Sequence, residues 1–303
     1  MKLEQSIIRP EEHDFYRVRE VAYALKGKYP FLKLGSIGKS VLGRELLCLQ
    51  IGKAEEAVLY AGAFHGMERL TTLVLLRFVE ALCDAIQNDA ELAGVSARRA
   101  LFGRSLIVVP DVNPDGCDIA LCGAKACGYA AARIYKLCAG DFSEWNANAR
   151  GVDINHNFDA GWKILREMEK QAGIYGPAPR RYGGPRPESE PETCALTTLC
   201  RQNNIRTVMA FHSQGEEIYW SYGKRTPTRA RKMAEILAAS SGYAVEEPMG
   251  LASHGGFKDW FIEEFGRPGF TIEIGRGKNP LPPSDLDAVY ARIEEMMLLG
   301  CFM

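Results

Sequence analysis

Four short apolar runs, at residues 57–64, 105–109, 206–211 and 269–274, are separated by stretches with helical periodicity at 70–90, 190–203 and 229–241. Short apolar runs bounded by turns read as buried strands, and apolar residues recurring every three or four positions read as helices. A chain that alternates the two folds as an α/β protein, because strands covered on both faces need helical layers on either side. The expectation is a three-layer sandwich with a mixed, mostly parallel twisted sheet flanked by helices.

The flanking segments fit that frame. Residues 12–27 read as a helix through Phe15, Val18, Val21, Ala22 and Leu25. Residues 31–37 and 45–51 read as a strand pair with Gly43 in the turn. Pro282 and Pro283 break the chain, and Ser284 stands where it would cap a last helix through Leu286, Val289, Ile293 and Met297. Residues 116–148 and 173–187 read as long surface loops, where binding is often done. No repeat, linker or charge run divides the chain, so 1–303 is read as one domain.

Composition removes several function classes. The 303 residues are 47% hydrophobic with a formal net charge of -1, so no electrostatic field draws in nucleic acid. Arg180 and Arg181 form a basic patch too short to change that. No run reaches the ~18 apolar residues of a membrane span, and the polar N-terminus lacks the succession of a secretory signal. Nine cysteines, an odd count without a pairing pattern, suit a reducing compartment. A cytoplasmic protein is expected, with Cys122, Cys127 and Cys138 as ordinary thiols rather than a structural zinc site. Oligomeric state is left open.

Chemistry concentrates at the ends of the strand-like runs. His65 and Glu68 follow one run, and a histidine and a carboxylate at that spacing can close on one divalent metal. His212 ends a second run. In open α/β sheets the carboxyl ends of strands face the ligand crevice, so the three residues can converge there, and two histidines with one glutamate form a catalytic zinc set with an open position. Glu273 lies inside an apolar run, where a carboxylate costs several kcal/mol unless paired or neutral; beside an activated water it serves as general base. Asp153 can accept the second ring N–H of a ligating histidine, and Arg150 can stabilise an oxyanion. Asp115, in a turn-forming Asn113, Pro114, Asp115, Gly116 segment, reads as structural. Lys258 and Asp259 read as a surface ion pair of little consequence.

Six motifs occur in one order: His65 with Glu68; Asn113 to Gly116; Gly151, Val152, Asp153, Ile154 and Asn155; His212 with Ser213; Gly255 to Trp260; and Thr271, Ile272 and Glu273. On these the chain resembles the zinc metallocarboxypeptidases, over roughly residues 7–300. The resemblance implies a carboxypeptidase A fold, one zinc on His65, Glu68 and His212, Glu273 as catalytic glutamate, Arg150 as the arginine that polarises the scissile carbonyl, and Asp153 as partner of the first zinc histidine. It also exposes a departure. Carboxypeptidases carry Asn-Arg where this chain has Asn155 and His156, and histidine lacks the guanidinium fork that clamps a C-terminal carboxylate. The family's tyrosine before the Gly-Gly pair is absent, with Leu251 near its register.

Further motifs, among them His212 to Glu216 and Asn279 to Pro282, are similar to a bacterial subgroup that cuts between γ-D-glutamate and a diamino acid in cell-wall peptides. That implies a murein-derived peptide as substrate; Asn155 and His156, in the polar run, and Arg276, just after the Glu273 run, are read as contacting it. The alternatives are a conventional carboxypeptidase, a zinc amidase or deacylase on a small acylated amino acid, and a non-catalytic peptide-binding module.

Overall fold

The computed structural model describes residues 6–303; the first five residues of the polar N-terminal segment lie outside the described residues. Helix α1 (Phe15–Lys28) starts three residues later than its periodicity suggests, because the Asp14 side chain accepts the Arg17 N–H and caps it there. Strands β1 (Lys33–Lys39) and β2 (Glu45–Ile51) form the expected hairpin. Then follow β3 (Glu56–Gly62), α2 (Leu70–Gln87), a small pair β4 (Glu91–Leu92) and β5 (Val95–Ser96), α3 (Ala97–Ala100), β6 (Ser105–Val109), α4 (Pro114–Cys122), α5 (Ala131–Cys138), α6 (Trp162–Gln171) and α7 (Pro191–Gln202). The last third holds β7 (Asn204–His212), β8 (Glu217–Tyr219), α8 (Ala230–Ser241), β9 (Ala244–Glu246), α9 (Phe257–Phe265), β10 (Gly269–Glu273) and α10 (Leu286–Gly300).

Eight strands form one sheet in the order β1-β2-β6-β3-β7-β10-β8-β9. The central neighbours β6, β3, β7 and β10 are parallel, whereas β1-β2, β2-β6 and β10-β8 are antiparallel. Successive side chains of a strand face opposite ways, and both faces here are apolar. Val58 and Tyr60 of β3 join one core with α1, α2, α8 and α10, while Ala57, Leu59 and Ala61 join another with α7 and α9. Burial on both sides is why these strands read as continuous apolar runs, and each fully buried Leu or Val contributes about 1.5–3 kcal/mol. The sandwich is as expected, and its parallel centre places four strand ends along one edge.

Several local expectations change. Residues 116–138 are largely helical, and only 139–148 lack helix and strand: Asn113 caps α4 with Pro114 at the first position, its side chain accepting the Gly116 N–H, and α4 and α5 pack a third apolar cluster with Ile119, Ile134 and Trp145. Residues 173–187 do lack helix and strand. Ser284 caps nothing; it lies inside a short helical turn, Pro283–Asp285, that leads into α10. Helix α6 escapes periodicity because its buried face holds Arg166 and Glu169 beside Leu165.

One buried acid carries a stability prediction. Asp111, just past β6, accepts the Asn113 N–H at 3.1 Å, and burial, then the charge of Asp118, push its carboxyl up to about 8. The folded chain therefore holds this proton more tightly than the unfolded one, so Asp111 weakens the fold progressively as pH rises from its ordinary value of 3.8 towards 8. Asp111→Asn, which keeps the accepting oxygen, is expected to stabilise the protein on the order of 3 kcal/mol at about pH 9 and much less at about pH 5. Denaturant titrations of both proteins at the two pH values check this; equal differences at both would remove Asp111 as the cause.

Candidate metal centre and cleft

Strand β3 ends at Gly62, and Ala63 adopts a positive φ of 51° with its N–H on Thr71 Oγ1 at 2.8 Å. This turn lays His65 to Glu68 across the carboxyl edge of the sheet. Asn113 ties the loop down: its Nδ2 donates to the carbonyls of Phe64 (3.0 Å) and Asn146 (3.2 Å). The approach is so close that a Cβ on Gly66 would fall 2.3 Å from the Gly116 carbonyl oxygen, so only glycine fits. Asp115 holds the neighbouring turn by accepting from Ser40 Oγ and the Leu42 N–H.

Glu68 is where three ligand-type residues meet. Its Oε1 is 2.8 Å from His65 Nδ1 and its Oε2 is 3.0 Å from His212 Nδ1. Ligand atoms of the three residues lie within 4.8 Å of one another. His212 is the last residue of β7 and stacks on Phe64 with ring centroids 4.9 Å apart. Burial raises the Glu68 carboxyl, but the two imidazoles outweigh it and bring it down to about 2. Burial lowers His65, yet Glu68 and Asp153 overcome that and hold it well above its ordinary range. The pocket thus demands positive charge between two ring nitrogens and a carboxylate, which two imidazoles and a glutamate supply to zinc. Cys122, Cys127 and Cys138 are free thiols and form no comparable group among the described residues.

Glu273 ends β10, directly paired in register with His212. Burial, then the neighbouring Glu68 charge, push its carboxyl well above the usual range. It lines an inner cavity of about 120 Å³ shared with His65, His212, Tyr219, Lys258 and Asp259. A second, open cleft of about 680 Å³ lies over His65 and Glu68 and is lined by Asn146, Arg180, Arg181, Leu251 and Lys278, among others. His65 and His156 line both spaces.

The remaining candidates divide sharply. Asp153 accepts from His65 Nε2 at 3.1 Å and, through Oδ2, from the Arg181 N–H at 2.9 Å. Asn155 lines the inner cavity and accepts the Phe257 N–H. His156 is buried, with Nδ1 facing two acceptors, Glu169 Oε1 (2.9 Å) and the Arg181 carbonyl (3.2 Å), so the hydrogen-bond network places the ring proton there. Arg150, by contrast, lines neither space. The turn from Asn148 to Gly151 sends it outward, half exposed and 3.6 Å from Glu190, while Asn148 itself also binds Glu190. Arg276 is also turned away, exposed and paired with Glu216 at 2.6 Å. Lys258 and Asp259 are no surface pair; both are buried. Asn146, Arg181 and Lys278 carried no motif, and their place in the cleft follows from loops that only the fold brings together.

This fold and this donor set define a metal-dependent hydrolase. A model of the zinc carboxypeptidase family matches residues 18–294. Gamma-D-glutamyl-L-diamino acid endopeptidase 1 of Lysinibacillus sphaericus is 36% identical over 299 residues, covering 97% of this chain and 73% of that protein. The uncharacterised protein YqgT of Bacillus subtilis is 34% identical over 295 residues, covering 96% and 77%. Bovine thrombin-activatable fibrinolysis inhibitor superposes with a TM-score of 0.75 at 19% identity over 97% of both chains, and a carboxypeptidase A from Helicoverpa armigera with 0.73 at 18% over 99% of this chain and 76% of the other. The chain belongs to the zinc carboxypeptidase family, and His65, Glu68 and His212 fit that family's zinc site.

Proposed function

We propose that the protein hydrolyses the amide between γ-D-glutamate and a diamino acid in a murein-derived peptide. The observation that carries this is His156. It stands where an ordinary carboxypeptidase places an arginine clamp, and its Nδ1–H is already committed to Glu169 and the Arg181 carbonyl. A free C-terminal carboxylate therefore finds no two-pronged partner there. The relative from L. sphaericus, named for the γ-D-glutamyl activity and similar over nearly the whole chain, supports the same reading. So do Arg181 and Lys278, cations in the open cleft that form no ion pair among the described residues and suit an acidic acyl group.

Zinc, when bound, supplies Lewis acidity to the attacking water and the scissile carbonyl. Glu273 takes the water's proton and delivers it to the departing amine. Asp153 accepts the Nε2–H of His65 and so keeps Nδ1 turned to the ion. Asn155 and His156 fix polar groups of the substrate where the two cavities meet. Substrate roles for Arg150 and Arg276 rest on resemblance and on sequence position alone, since both side chains stand outside the cavities. The region 1–303 acts in this reading as one peptidase domain. No helix among the described residues is long and apolar enough to cross a membrane, and nine free thiols fit work on released wall peptides in the cytoplasm.

Mass spectrometry of products tests the proposal. A γ-D-glutamyl-diaminopimelate peptide is expected to be cut at the γ-amide with kcat/KM about 100-fold above α-linked peptides. Release of C-terminal residues from ordinary peptides at a comparable rate would establish the conventional carboxypeptidase instead, and cleavage only of small acylated amino acids would establish a deacylase.

A further inference from the structure

Helix α6 carries a buried arginine with part of its fork unused. Arg166 is 9% exposed, lays its guanidinium over the Tyr182 ring at 4.6 Å from the ring centre, and turns Nη1 to Glu169 Oε2. Nη1 is sealed from solvent, whereas Nε and Nη2 are not, and neither of these two hydrogen-bonds to any group among the described residues. The side chain lines an open groove of about 470 Å³ together with Trp162, Lys163, Lys170, Tyr182 and Pro185. None of the residues lining this groove lines either space at the metal centre. Arg181 lines the open cleft and the next residue, Tyr182, lines the groove, so the backbone here runs between the two.

The groove's chemistry selects its ligand. Nε–H and the neighbouring Nη2–H form the side-on fork of a guanidinium, which matches two oxygens of a carboxylate or a phosphate. Stacking on Tyr182 fixes the plane of that fork. Lys170 is paired with Glu167 at 2.6 Å, but Lys163 forms no ion pair among the described residues, so the lining is cationic. Trp162, pinned by its indole N–H on the Gly183 carbonyl at 2.8 Å, and Pro185 supply apolar wall.

Behind the arginine, Glu169 is fully buried. Its Oε2 meets Arg166 and accepts the Gly183 N–H at 3.2 Å, while its Oε1 lies 2.9 Å from His156 Nδ1. His156 in turn lines both spaces at the metal centre. One carboxylate thus ties the groove's cation to a ring in the cleft. An oxyanion drawing on Arg166 from outside competes with Glu169 for the guanidinium, and leaves more of the carboxylate's charge to the His156 N–H.

We infer that this groove is a second binding site, for an oxyanion carried on an aromatic or other apolar ring, and that its occupancy is felt at His156 through Glu169. The site depends neither on the γ-linkage nor on the leaving group of the peptidase reading.

NMR on zinc-loaded protein, isotope-labelled in tryptophan and histidine, tests both halves. Trp162→Phe assigns the indole signal in the groove, and His156→Asn assigns the ring signal in the cleft. Benzoate and phenyl phosphate are each expected to shift the Trp162 signal saturably, the better of them binding at least about tenfold more tightly than neutral benzamide; the order of the two identifies the oxyanion. Arg166→Lys, which keeps the charge and loses the fork, is expected to weaken that probe about tenfold. The His156 signal is expected to move with the same midpoint as Trp162, and Glu169→Gln to silence His156 while the groove still fills. Benzamide bound as tightly as both anions by the wild type would overturn the site, whether or not a variant folds. A His156 shift with a midpoint different from that of Trp162 would place the probe in the open cleft and overturn the coupling.

Discussion

Replacing Glu273 by glutamine is expected to lower kcat by up to about 10⁴-fold, the upper range for a positioned general acid–base group, while zinc stays bound at one ion per chain. Glutamine keeps the size and the polar oxygen of the side chain at the end of β10, beside His212, but cannot cycle a proton. Since Glu273 is not one of the three ligands that meet at Glu68, the metal centre remains assembled, and KM is expected to change far less than kcat. Metal analysis and steady-state kinetics on the same preparation make the check. Activity within tenfold of wild type would place the base elsewhere, and loss of the ion would make Glu273 part of the metal site.

The second large effect concerns the centre itself. His212→Ala removes one of two imidazoles and leaves the buried Glu68 facing His65 alone. Zinc content is expected to fall to a small fraction of one ion per chain and activity to background. Chelating the ion from the wild type is expected to have the same effect on activity, reversed on adding zinc back. It also removes the stabilisation from a ligand that binds only the folded chain, about 4 kcal/mol when free zinc exceeds its dissociation constant a thousandfold. Thermal melts with and without chelator read that difference. A chelated enzyme that keeps full activity would show that the reaction does not need the ion.

How much of the site was legible follows from how local each signal is. His65, Glu68 and His212 stand at the ends of apolar runs and Glu273 inside one, a residue before its end, and a parallel sheet sends such ends to one edge; β3, β7 and β10 are neighbours in that sheet. Two residues with equally plausible local context went the other way. Arg150 sits within two residues of Val152 and Asn148 in the motif, yet the Asn148–Gly151 turn and Glu190 draw it outward. Arg276 follows Glu273 by three residues and is captured by Glu216, which a positive φ of 58° presents beside it.

The sequence by itself determined the layers, six of the eight strands of the sheet and the candidate metal ligands, because periodicity of two or 3.6 and the residue at a strand end are local properties. Tertiary structure decided what surrounds them. Residues 116–138 became packed helical segments because Asn113 caps α4 and an apolar cluster closes over Trp145. Lys258 and Asp259 became a buried pair because Ser221, Gly269 and Tyr222, all distant in the chain or on another element, close around them. Whether a charge is solvated or buried depends on neighbours far away in sequence, so the chemistry of the candidate ligands could be read along the chain, whereas the burial of Lys258 and Asp259 beside the inner cavity emerges only from the folded molecule.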